Sequence, residues 1–125
     1  MSESGSDVHY AHAVNAAIEA VKSLLLVNGG AATALIALKS QGDADFGLPV
    51  LMFGLAALLN AFTLVLGYFS QLNYANARAA IENGHLEESR DGMRMHGRFQ
   101  TISILVVLLS LLASGGGMFM AFNAI

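Results

Sequence analysis

Three long stretches without charge constrain this chain more than anything else in it. Lys22 and Lys39 bracket the first, Ser23 to Leu38. No charged residue lies between Asp45 and Arg78 in the second, and none follows Arg98 in the third. A bilayer core about 30 Å thick is crossed by roughly 20 apolar residues of helix. Three such stretches in 125 residues predict an integral membrane protein of one domain. Only 12% of the residues are charged, against about 25% in soluble domains. A soluble bundle with one buried central helix is the competing fold, but three helices cannot all be central. Cysteine is absent, which removes disulfides, thiolate metal sites and a cysteine nucleophile. A net charge of −3 argues against nucleic acid as a partner.

Helix signals divide the chain simply. Residues 1–7 are acidic and polar and read as a disordered tail, without the basic region of a signal peptide. Insertion is therefore expected to use the first span. Asp7 is a suitable N-cap. From there Tyr10, Val14, Ile18, Val21 and Leu25 share one helical face. Gly42 is the expected stop of this helix. Pro49 suits the start of the second helix, and Asn83-Gly84 is the strongest turn signal in the chain. The expected spans are about 22–39, 48–69 and 101–122, with a helical hairpin over about 70–100. The fold class is all-α: a three-helix transmembrane bundle whose helices extend into the cytoplasm as that hairpin. Arg78, Arg90, Arg94 and Arg98 lie between the second and third spans, while the other loop has only Lys39. The positive-inside rule then puts the hairpin and the N-terminus in the cytoplasm and the C-terminus opposite.

Each span carries a polar residue on its packed face. Asn28 is seven residues from both Val21 and Leu35, Asn60 is seven from both Phe53 and Gly67, and Ser110 is seven from both Ser103 and Gly117. Seven residues drift by only about 20° on a helix. Continued outward, the same stripes reach Tyr10, Tyr74 and His96 at the hairpin end. At about 1.5 Å per residue, Asn28, Asn60 and Ser110 form one expected layer near the midplane. Thr63, Gln71, Ser103 and Ser114 extend it into a polar face. One reading of this layer is polar glue, since lipid gives helices no hydrophobic drive to associate. Another is a pathway for water, protons or ions, and a third is pairing across a homo-oligomer interface. Gly29-Gly30-Ala31-Ala32 and Ser114-Gly115-Gly116-Gly117 are expected to let backbones approach closely, and Gly30 with Ala34 is a small-xxx-small pair.

Chemistry is otherwise sparse. Glu19 and Lys22 read as a solvated pair. His9, His12, His85 and His96 lack the tight spacing of a metal site. Met118 and Met120 have no further soft ligand near them in sequence, so copper handling gives way to core or lipid-facing methionine. His96 stands out, on a packed stripe just outside the membrane, as the side-chain type suited to a pH switch. Arg94 and Arg98 open the third span and suit lipid phosphates. No phosphate loop, nucleophile elbow or metalloprotease helix occurs. No enzyme activity and no cofactor is expected.

The run Leu24-Leu25-Leu26-Val27-Asn28-Gly29-Gly30-Ala31-Ala32 resembles a segment of small bacterial membrane proteins with three spans. Tyr68-Phe69-Ser70-Gln71-Leu72-Asn73-Tyr74-Ala75 is similar to their second-span exit. The resemblance implies a bacterial inner membrane and carries no activity or site. The expected role is therefore association: a homo-oligomer, or an accessory subunit bound to lipids and another membrane protein. A channel lined by Asn60, Gln71 and Ser110, and a pH or lipid sensor built on His96, Arg94 and Arg98, are the alternatives.

Overall fold

The computed structural model describes residues 5–42 and 44–125. Three helices account for nearly all of them: α1 (Gly5–Lys39), α2 (Gly47–Glu82) and α3 (Leu86–Asn123). Each is long and apolar enough to cross a membrane. They run up, down and up, joined by two short connections. The first helix begins at Gly5, so Asp7 sits in its first turn rather than at its N-cap. Of the expected tail, residues 1–4 lie outside the described residues, as does Asp43 of the first loop.

The two connections end their helices by different chemistry. At Asn83-Gly84 the Gly84 φ is 78°, a left-handed conformation that glycine adopts without penalty. His85 N–H donates to the Ala80 carbonyl (2.8 Å) and Gly84 N–H to that of Ile81 (3.0 Å). This paired pattern is the Schellman motif, which satisfies carbonyls the last turn would leave orphaned. The first loop works otherwise. The helix stops at Lys39, and Gly42 is not left-handed, Gly84 being the one positive-φ glycine among the described residues. Asp45 Oδ1 instead accepts the Gly47 N–H (3.0 Å) at the start of α2, while Lys39 Nζ lies 3.6 Å from the same oxygen.

The second helix is central and packs more closely on α3 than on α1. Ala56, Thr63, Ser70 and Ala77 are buried along it at seven-residue steps, with Phe53 and Asn60 one step beside them. On α3 the buried set is Ser89, Val106, Ser110, Ala113 and Gly117. Most of these side chains are small, so the two backbones approach closely. A β-carbon added at Gly92 would stand 2.9 Å from Ala77 Cβ, and one at Gly117 3.1 Å from the Phe53 ring. The α1 cluster does not behave this way. Gly29 and Gly30 have nothing within 4 Å of an added β-carbon, so the expected close approach there is absent. The reason is angular: one and two residues past Asn28, at about 100° per residue, they turn away from the face that Asn28 buries. Among the described residues of α1, only Val21 and Asn28 are buried. The first helix is held mainly by a few specific contacts.

Candidate functional site: two polar layers and a cleft

The layer expected near the midplane draws one residue from each helix, Asn28 from α1, Asn60 from α2 and Ser110 from α3. Asn28, Asn60 and Ser110 are the largest completely enclosed side chains, at 1%, 0% and 0% exposure. Ser110 Oγ donates to the Ala56 carbonyl (3.2 Å), the same oxygen that a regular helix pairs with the Asn60 N–H. Ser114 Oγ lies 2.7 Å from Asn28 Oδ1 and 2.9 Å from the Ser110 carbonyl. A hydroxyl carries one proton, and a carbonyl only accepts. Turning the Asn28 amide over serves both: Nδ2 donates to Ser114, which donates to Ser110. Asn28 thus meets Ser114, one turn beyond Ser110. Asn60 lies one turn of α2 past Ala56, about 6 Å along the axis. Neither end of its amide has a hydrogen-bond partner among the described residues.

The hydroxyls of the predicted polar face mostly stay on their own helices. Thr63 donates to the Leu59 carbonyl (2.9 Å) and Ser103 to that of Phe99 (2.8 Å). Such back-bonding satisfies a hydroxyl without joining helices. Only Ser110 and Ser114 reach across.

A second layer forms at the hairpin end, around His96. Its Nδ1 lies 2.9 Å from the Ser70 carbonyl and 2.8 Å from the Ser70 hydroxyl. Since a carbonyl only accepts, Nδ1 carries the proton of the neutral ring, and Nε2 accepts from the Tyr10 hydroxyl (3.0 Å). Ser70 Oγ also lies 3.2 Å from the His96 carbonyl. The Tyr74 ring packs 5.3 Å from the imidazole and 5.5 Å from Tyr10. One imidazole therefore ties α1 and α2 to α3. Ser70 was not singled out in the sequence, yet it is seven residues beyond Thr63 on the same buried stripe, and that spacing marks it.

Tyr10 and Tyr74 also wall an open cleft of about 470 Å³ between α1 and α2, with Gln71 and Arg78 in its lining. Arg94 and Arg98 are exposed, and flank a shallow depression with Gly97, Thr101 and Ile102. His96, two residues from each, faces the bundle interior instead. His9 and His12 are exposed. His85 Nδ1 lies 3.4 Å from Glu88 in an exposed pair, and Glu19 pairs with Lys22 at 2.9 Å, also exposed. Met118 and Met120 lie on the outer surface. Among the described residues no three His, Cys, Asp or Glu side chains are grouped as metal ligands.

Neither a protein-family model, a curated protein nor a solved structure matches this chain.

Proposed function

We propose that this chain is a non-enzymatic, multi-pass membrane protein that acts by association, as a homo-oligomer or as an accessory subunit of a membrane complex. The supporting observation is where its polarity points. Asn28, Asn60 and Ser110 are enclosed within a single chain, and Asn28 and Ser110 bond across helices, which supports polar glue by those two over a lumen between subunits. The outward faces are apolar, and only 17%, 22% and 17% of the three most apolar windows is buried internally. Lipid or a neighbouring protein covers the rest. Gly30 and Ala34 are exposed on α1, so the small-xxx-small pair is available to another helix. The bacterial inner membrane, with hairpin and N-terminus cytoplasmic, is part of the proposal and draws on the arginines of the hairpin.

Cross-linking in native membranes, followed by mass measurement in mild detergent, tests this reading. A dimer or larger species, or a stoichiometric co-purifying membrane protein, is expected, and Gly30→Leu with Ala34→Leu is expected to weaken self-association. A strictly monomeric chain without a partner would overturn it. A second reading, a pH or lipid sensor, draws on His96, an ionisable side chain bonded to both neighbouring helices, with Arg94 and Arg98 outside it. If His96→Gln leaves every pH-dependent change in cross-linking intact, that reading fails.

A further inference from the structure

The Asn83-Gly84 turn carries a chemistry that neither reading uses. An asparagine amide is open to attack by the backbone nitrogen of the next residue. Here the Gly84 nitrogen forms a bond to Asn83 Cγ, the Cγ–Nδ2 bond breaks, and ammonia leaves behind a five-membered succinimide ring. Water then opens the ring at either carbonyl. Opening at Cγ leaves an aspartate. Opening at the main-chain carbonyl leaves an isoaspartate, which carries an extra methylene in the backbone. No oxidant or reductant takes part. Glycine favours the attack because no β-carbon shields its nitrogen.

The chain holds two Asn-Gly pairs, Asn28-Gly29 and Asn83-Gly84, in opposite surroundings. Asn28 is enclosed at 1% exposure in the apolar part of α1, away from the water that must open the ring. Asn83 and Gly84 are both exposed, just past the end of α2.

The closed turn nevertheless withholds the reaction. Ring closure needs the Gly84 nitrogen eclipsed with the Asn83 β-carbon. The Asn83 ψ of 3° sets it eclipsed with the Asn83 backbone nitrogen instead. The Gly84 N–H, which must lose its proton to attack, donates to the Ile81 carbonyl (3.0 Å). Asn83 Nδ2 donates to the Ala79 carbonyl (3.0 Å), which holds the amide back on α2. All three constraints belong to the closed turn and are released when it opens.

We propose that Asn83 is a spontaneous deamidation site gated by this turn: it converts when the hairpin end opens, and conversion then weakens the cap against closing again. The product puts a negative charge at the C-terminal end of α2, where the helix dipole disfavours it. That charge falls between Glu82 and the acidic first turn of α3, Glu87 and Glu88. The extra methylene of isoaspartate also shifts the Gly84 and His85 N–H groups from the Ile81 and Ala80 carbonyls that they bond. The site depends neither on self-association nor on a pH response of His96.

The test compares the full chain folded in mild detergent with the same chain unfolded in sodium dodecyl sulfate and urea, both in mildly alkaline buffer, by peptide mass mapping. Conversion at position 83 is expected to be slower in the folded chain by roughly tenfold or more, the factor that two ordinary hydrogen bonds place on opening. Asn28 is expected to convert only in the unfolded chain, and Asn83→Gln, whose longer side chain closes the ring poorly, to stay intact in both. In the converted fraction, separated by its added charge, hydrogen exchange is expected to rise at Gly84 and His85 and to stay as it was at Ser110. Equal rates at Asn83 in the folded and unfolded chains would overturn the gate. No conversion at Asn83 in the unfolded chain, or conversion at Asn28 as fast as at Asn83 in the folded one, would overturn the site. A converted fraction with unchanged exchange at Gly84 and His85 would overturn its effect on the cap.

Discussion

The two polar layers use similar residues and satisfy them unequally. At the hairpin end both ring nitrogens of His96 have partners, Ser70 on α2 and Tyr10 on α1. In the other layer, among the described residues, the Asn60 amide has none and the Asn28 amide has one partner, Ser114. The difference is one of reach. The His96 imidazole, beside the Tyr10 and Tyr74 rings, reaches partners on both α1 and α2. In the other layer the serines are short and bond the nearest carbonyl or amide, out of reach of Asn60. In lipid an unpaired amide is costly, about 1–3 kcal/mol by mutational measures. The hairpin-end layer thus fixes the first helix, while the midplane layer combines close packing with an unmet polar group.

The largest test of this contrast is His96→Ala. It removes the bonds to the Tyr10 hydroxyl and to Ser70, together with a ring packed on Tyr74. A loss of about 2–4 kcal/mol is expected from the lost bonds and the cavity together, read as a shift in thermal or SDS-induced unfolding. Hydrogen exchange should rise at the hairpin end of α1 more than on α3. If exchange rises uniformly, His96 does not hold the first helix in particular.

Asn60→Leu probes the other layer and has the opposite sign. Leucine shares the branched skeleton of asparagine and has no polar group to bury. A gain of about 1–3 kcal/mol is expected, because the amide that disappears has no partner to lose. Destabilisation would mean that Asn60 is satisfied in the membrane, by water or by another chain, and the contrast between the layers would collapse. The same variant bears on the channel alternative: liposome flux that depends on Asn60 would favour a pathway over glue. Ser114→Ala should be milder. It removes the bond between Asn28 and α3 at a cost of about 0.6–1.7 kcal/mol, typical of hydrogen bonds between membrane helices.

Much of this architecture is legible in the sequence because two rules dominate it. Charge-free length marks the spans, and seven-residue spacing marks the packed stripes. Those stripes lead to Asn28, Asn60 and Ser110, all enclosed, and extend to Tyr10, Tyr74 and His96, which meet. The pairings within a stripe are less legible. Asn28 bonds Ser114 rather than Ser110 because the cross-helix offset of one turn depends on tilt, which spacing does not carry. Thr63 and Ser103 lie on the polar faces but bond their own backbones, a choice between local and distant acceptors that rotamers decide. Gly29 and Gly30 show the cost of reading composition without angle: a small-residue run suits close packing only on the side that faces a neighbour.

The smallest effect is expected where water competes with every bond, at the loop between α1 and α2. Asp45 is a highly exposed carboxylate, yet the Gly47 N–H that it accepts, and then the nearby Lys39 ammonium, hold its carboxyl below the ordinary value of 3.8. The sign follows from that direction. A carboxyl with a lowered folded value stabilises above its unfolded pKa, and the contribution is lost as pH falls through the folded value. The first turn of α2 should therefore keep its protection down to about pH 4 and lose some of it below, as seen in hydrogen exchange at Gly47. Asp45→Asn keeps an acceptor oxygen but cannot titrate, so its protection should be flat across that window. A native chain equally flat would mean that water has already replaced the carboxylate, as it readily does at exposed pairs. The contrast would then sharpen into a rule for this molecule: polar bonds set its structure only inside the bundle, where nothing else is available to make them.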